Sequence, residues 1–456
     1  MLKAIQITLA FWLVAFGLFV YGMVAQRYNL YPYPMFAPYF TYVESFAEDT
    51  TTLRQKLDND FGGKPWRIIR TFSPADPDIY QTLEVDGLNP RRQSPRIMLK
   101  DTTPGFRMLF GAFDFVGGFW GAILIDENGK VVHTWQLSGE GTEMNSAPDT
   151  NKILYGVGIF PDGSIAYNLE NANQALMKRD VCGVLQWATP GLYHHSAEPS
   201  ADYKTVWTFR GRAPDAYPEI VQMDAQDGRI LRTIHGYDIQ KANPELYIFD
   251  LRSLEHQEFI SGYMDTNYPH HNDIKPLMPK MATAFPQFRP GDLAINHRTI
   301  NMFYVMDPDS LKVKFWYFGA ADGGHDVDWQ PDGTFSLFNN KWRAGWNAND
   351  AIEAHSSVMS IDPRTHTHTT LWDGKALDVY SIINGRHDVT PNRTVLVTSS
   401  TQGRFIEADI ATGDTVFEFI NDYDPTAGQT LHVSDAFWLP KDFFTTDMYQ
   451  AAASCK

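Results

Sequence analysis

At 456 residues, with 43% apolar and 14% aromatic side chains, the chain has material for one large domain or two to three small ones and for a sizeable core, which excludes global disorder. A formal charge of −16 without a long basic run excludes a nucleic-acid surface, because phosphate contacts need clustered Lys and Arg. An anionic small molecule remains admissible where positive groups are gathered locally.

In chain order, the first element is "AIQITLAFWLVAFGLFVYGMVAQ" at 4–26, free of charge and bounded by Lys3 and Arg27. Its length matches the ~20 residues of a membrane-spanning helix. A cleaved signal peptide would have a shorter apolar core, ~7–15 residues, and a small-x-small site that is missing before Arg27. The expectation is an uncleaved anchor over 1–27. "YNLYPYPMFAPYF" at 28–40 has the aromatic character of a membrane–water interface. Lys3 favours the amino terminus inside. Residues 28–117 then form an interfacial segment and an N-terminal extension packed on the downstream domain, part of it a candidate to complete the last blade.

From about residue 118 the chain repeats. An apolar strand, an aspartate, a short turn and a second strand recur as "ILIDENGKVVHTW", "LMKRDVCGVLQW", "IVQMDAQDGRILRTI", "FYVMDPDSLKVKFWYF", "SVMSIDPRTHTHTTLW" and "FIEADIATGDTVFEF". The aspartates are Asp126, Asp180, Asp224, Asp307, Asp362 and Asp409, each placed to open its turn by accepting backbone N–H groups. Each hairpin is followed by another strand region, as in "HHNDIKPL" at 270–277 and "GGHDVDWQPDGTFSLFNN" at 323–340. Repeats at roughly 45–80 residues predict an all-β, six-bladed β-propeller over 118–442. The tail from Phe443 to Lys456 reads as a loose end. Cys182 and Cys455 lie far apart, and two free thiols are preferred over one disulfide.

Histidine recurs at one address in the second motif: His194 or His195, His270 or His271, His325, His387 and His432. The innermost strands of a propeller line its channel, so these positions converge. For His387 and His432 a structural hydrogen-bonded tie is favoured. His325 and His270/His271 have polar company instead: Asn272 and Asp273, then Asn296, His297 and Arg298, then Asn339, Asn340 and Lys341. Donors with a fixed positive charge suit an anion of several oxygens better than a metal, since no HExxH is present and the His-x-His of His366 and His368 falls in an outer hairpin, where strand alternation explains it without a metal. No P-loop, GxGxxG, GxSxG or CxxC occurs, so no cofactor is expected.

These motifs, from "LIDENGKVVHTW" through "HHNDI" and "LAINHRTINMFYVMD" to "HDVDWQPDG…LFNN", resemble the bacterial PAPS-independent arylsulfate sulfotransferases over roughly Gly118 to Pro440. The resemblance implies a six-bladed propeller outside the cytoplasm, here on the bacterial inner membrane facing the periplasm. It implies transfer of a sulfuryl group from an aryl sulfate to a phenol through a sulfohistidine. His325 falls on the family's nucleophile and His270, with His271 beside it, on its HxN histidine. His195 or His194 corresponds to a third catalytic histidine. Asn272, Asn339, His297 and Arg298 are the expected substrate contacts. The family's arginine after HxN aligns with His297, leaving Arg298 one residue on, and such an offset reverses the side chain's face in a strand. Two other readings are a non-catalytic propeller serving as a binding or assembly subunit of a membrane complex, and a metal-dependent hydrolase or oxidase.

Overall fold

The computed structural model describes residues 70–89, 93–115, 118–139, 153–170, 175–211, 219–246, 270–342 and 355–455, together with residues 12, 16–18, 20 and 21. The chain divides into two units, Met1–Gly62 and Gly63–Lys456. In the first, the few described residues are helical and exposed. The expected anchor over 1–27 lies almost wholly outside the described residues, among which no helix is long and apolar enough to cross a membrane.

The second unit is built from antiparallel sheets whose innermost strands are Val433–Leu439, Ile153–Ile159, Tyr193–Pro199, His271–Pro276, His325–Trp329 and His387–Val389. Six sheets headed by these strands make a six-bladed propeller. All six predicted turn aspartates accept a backbone N–H two residues on, at 2.8–2.9 Å. That side-chain bond closes each outer hairpin locally, so the repeat is readable from short segments.

The core lies between blades. Phe285, Phe303, Trp329 and Phe335 fill one interface, and Phe209, Ile274, Ile295 and Tyr304 fill another. A second set of ties runs along the axis. Asp273 accepts the Val327 N–H at 3.0 Å, Asp326 that of His387 at 2.7 Å, and Asp388 that of Trp438 at 2.8 Å. Each carboxylate on one innermost strand therefore satisfies a backbone donor of the next and fixes the spacing of adjacent blades.

Within residues 28–117, part of which is the candidate to complete the last blade, Phe106–Phe115 is the second strand of a blade, paired with C-terminal Val433–Leu439 on one side and Gly118–Ile125 on the other. This ring closure joins segments far apart in sequence, so no local pattern announces it. Arg96–Leu99 and Gln81–Thr82 also extend the sheet that begins at His387. The two cysteines are not free: Cys182 and Cys455 form a disulfide with their Cα atoms 5.2 Å apart. Nor is the tail loose. Thr446–Ser454 is a helix capped by Thr445, whose side chain accepts the Met448 N–H, and Met448 is buried. The disulfide and Met448 fasten the helix to the second blade, beside the hairpin of Asp180. Cys455→Ser is expected to lower stability by roughly 2–4 kcal/mol, read as an earlier urea midpoint. An unchanged midpoint would show that the helix docks without the bond.

Candidate active site

Along the axis the innermost strands break register at corresponding places: between Tyr155 and Gly158, His194 and Ala197, His271 and Asp273, His325 and Val327, and Val433 and Asp435. Residues at or beside these bulges take positive φ: Gly156 at 56°, His195 at 62°, His270 at 50° and Asp326 at 55°. A bulge re-aims side chains, and left-handed backbone at non-glycine residues is a strain that surrounding structure must hold. Here it turns Tyr155, His195, Asn272 and His325 into a small axial cavity of about 40 Å³, with Asn384 and Arg386. A wider groove of about 960 Å³ runs along Val131–Gln136 beside the disulfide, but none of the axial histidines lines it.

His325 is buried, with Nδ1 2.7 Å from Asn340 Oδ1 and 2.9 Å from the Gly323 carbonyl. Burial, reinforced by Arg298, pushes its pKa down to about 3. An ordinary imidazole charges near pH ~6.5 and could then no longer attack. Because the folded value lies lower, the ring stays neutral as pH falls from about 8 to about 5. The NMR signals of the His325 ring are expected to show no titration over that window. A titration centred near ~6.5 would contradict it.

Three further histidines form a directed chain. The Gly211 carbonyl accepts from His194 Nε2–H at 2.9 Å, which makes His194 Nδ1 an acceptor. His195 Nδ1–H then donates to it at 2.9 Å, and His270 Nε2–H donates to His195 Nε2 at 3.1 Å. His195 stacks on Tyr155, with ring centroids 5.8 Å apart. His270 is pushed well below the ordinary imidazole range by burial, then by His195 and Arg298. Arg298 donates its backbone N–H to the His270 carbonyl and lies over Trp342, and its charge is felt by both His270 and His325.

The predicted residues therefore separate. His325, His195 and Asn272 line the cavity, His270 bonds to His195, and the charge of Arg298 acts on His270 and His325. His271 does not line the cavity: it is stacked on Phe209 of the neighbouring blade at 4.7 Å and against His297 of its own blade at 4.4 Å, in the interface between the two. His297, one residue before Arg298, packs on that buried side against His271 and Tyr304. His194 holds His195 from behind. Asn339, expected to touch substrate, instead accepts the Asp322 and Lys341 backbone N–H groups and shapes the loop. Its neighbour Asn340 is the residue on His325. Sequence reasoning also passed over Tyr155, Asn384 and Arg386. Tyr155 stands at the histidine address of its own blade, which was the available signal.

Beside the cavity lies a buried ionic cluster. Lys275 Nζ is 3.2 Å from Glu198, 3.6 Å from Asp326, 3.7 Å from Asp328 and 3.9 Å from Asp273. Arg386 is 3.3 Å from Asp326 and His387 3.0 Å. Burial pushes Asp273 and Asp328 up to about 7, while Asp326, despite burial, is held far below the carboxylate range by Arg386 and Lys275. Asp326, Asp328 and His387 are close enough to share a cation, but Lys275 and Arg386 already supply the positive charge there.

A propeller that gathers neutral histidines, an amide and an arginine around its axis has the makings of a group-transfer site for an anionic substrate. The chain belongs to the arylsulfotransferase (ASST) family, whose model matches residues 187–422, just over half its length. No curated protein matches it. Among solved structures it is similar to a protein of unknown function from Bacteroides caccae, at 11% identity and a TM-score of 0.45 over 73% of this chain and 98% of that one. It is also similar to TolB from Acinetobacter baumannii, at 13% identity and a TM-score of 0.45 over 74% and 67%.

Proposed function

We propose that this protein moves a sulfuryl group from an aryl sulfate ester to a phenolic acceptor, without PAPS, through a covalent sulfohistidine on His325. The observation that carries the reading is a buried, neutral His325 beside the positive charge of Arg298. A neutral imidazole is a competent nucleophile, and covalent capture divides one difficult displacement into two. Arg298 and the Asn272 amide, whose Nδ2 has no partner among the described residues, would meet the sulfuryl oxygens as charge shifts in the transition state. His325 attacks sulfur, the sulfur–oxygen bond to the aryl group breaks, and the phenolate leaves. The acceptor phenol then attacks sulfur, the sulfur–nitrogen bond breaks, and the His270–His195–His194 chain takes the phenol's proton.

The Cys182–Cys455 disulfide supports an oxidising compartment, in keeping with the proposed periplasmic face of a membrane-anchored protein. The small axial cavity favours one rival, a non-catalytic propeller in a membrane complex. Release of a chromogenic phenol from its sulfate, with and without a second phenol, separates the two. Acceptor-dependent release supports transfer. No release across a panel of donors, with a stoichiometric membrane partner co-purifying, would support the rival.

A further inference from the structure

We propose that Asn340 is a positioning residue that locks His325 in its Nδ1–H tautomer and so assigns the nucleophilic lone pair to Nε2. The chemistry rests on the sulfotransferase reading; the tautomer does not.

The amide's orientation is determined by its other contacts. Asn340 Nδ2 donates to the Ser381 carbonyl at 2.7 Å and to the Asn384 carbonyl. Turning the amide over would set its oxygen against two carbonyl oxygens, so Oδ1 faces His325. The imidazole Nδ1 thus has two neighbours within bonding distance, Asn340 Oδ1 and the Gly323 carbonyl, and both only accept. Nδ1 must carry the proton. In the neutral ring Nε2 then holds the lone pair, and this buried atom has no hydrogen-bond partner among the described residues.

The device is built across two blades. Ser381 and Asn384 lie in the turn that leads into His387–Val389, whereas Asn340 follows the strand paired with His325. That turn uses left-handed backbone at Asn384, φ 58°, and at Gly385, φ 121°. A Cβ on Gly385 would lie 2.3 Å from the Phe338 ring, so the approach that brings the carbonyls to Asn340 needs glycine.

In the first half-reaction the Nε2 pair forms the bond to sulfur, and the aryl oxygen leaves with the pair from the bond that breaks. Nδ1 keeps its proton, and the positive charge arising on the ring is met by Asn340 Oδ1 and the Gly323 carbonyl. In the second half-reaction the sulfur–nitrogen pair returns to Nε2. No oxidant, reductant or added co-reactant is needed.

The test is nitrogen-15 NMR of the histidine-labelled full chain, with His325 assigned by loss of its signals in His325→Gln. The expected wild-type result is the Nδ1–H tautomer, replaced by a tautomer mixture in Asn340→Leu. The rate of adduct formation with excess aryl sulfate should fall in that variant on the order of 10²-fold, the scale on which partners orienting a reactive group matter. Asn340→Asp keeps an acceptor on Nδ1 and adds a carboxylate to the charges already facing the ring, Arg298 and Asp326. It should retain the tautomer while making adduct formation slow as pH falls, a split that a purely structural role would not give. An Nε2–H tautomer in wild type, or a wild-type tautomer in Asn340→Leu, would overturn the proposal. Should Asn340→Leu fail to fold, the wild-type spectrum and Asn340→Asp decide. Should wild type form no adduct, the sulfotransferase reading falls, and the spectra alone still decide the role of Asn340.

Discussion

His325→Ala is expected to reduce phenol release from aryl sulfates by at least about 10³-fold while the protein remains folded, because the variant has no atom on which to hold the sulfuryl group. The structural cost is limited. The substitution leaves Asn340 Oδ1 and the Gly323 carbonyl without their His325 donor, worth about 1–3 kcal/mol, within the reserve of a typical domain. His271→Phe is the informative contrast. His271 is as buried as His325 but lies against Phe209 and His297 rather than in the cavity, so its replacement should alter stability and leave turnover near wild type. Equal losses in both variants would mean that activity follows the integrity of the propeller, not the chemistry of one ring.

The second large effect concerns Lys275. Its side chain is only 6% exposed and stands among Glu198, Asp273, Asp326 and Asp328. Burial and Arg386 work against its charge, yet Asp273, Glu198 and Asp328 hold its pKa above the ordinary lysine range. Lys275→Met would preserve most of the volume and strand these carboxylates beside the axis. Breaking a buried ion pair from one side costs roughly 3–5 kcal/mol. The sign of the pH dependence is set by Asp273 and Asp328, whose folded pKa values are pushed up to about 7. A raised folded pKa gives stability that is present at low pH and lost as pH rises through that value. In the variant both groups can therefore take up protons near pH 5 and relieve the repulsion. Urea denaturation at about pH 5 and about pH 7.5 should show the larger deficit at the higher pH. A deficit equal at both would show that Lys275 acts through packing alone.

How much of this was legible in the sequence depended on distance along the chain. The outer hairpins were, because Asp126 and its five counterparts bond to backbone only two residues away. The histidine address was too, since it recurs in five of the six copies. What failed was register. A strand alternates its faces, and each axial bulge inserts a residue into that alternation, so His270 against His271 and His194 against His195 could not be sorted by counting; Asn340 lies just past the end of its strand, where alternation no longer applies. Ring closure by Phe106–Phe115 and Val433–Leu439, and the bond between Cys182 and Cys455, depend on the finished circle of blades and leave no local trace.

The most direct measurement is the intact mass of the full chain mixed with excess aryl sulfate and no acceptor, followed by peptide mapping under conditions that preserve phosphoramidate-like bonds. The expected result is a gain of one sulfuryl group on the peptide containing His325, discharged when a phenol is added. An unmodified mass, or a sulfuryl group on another residue with His325 untouched, would contradict it.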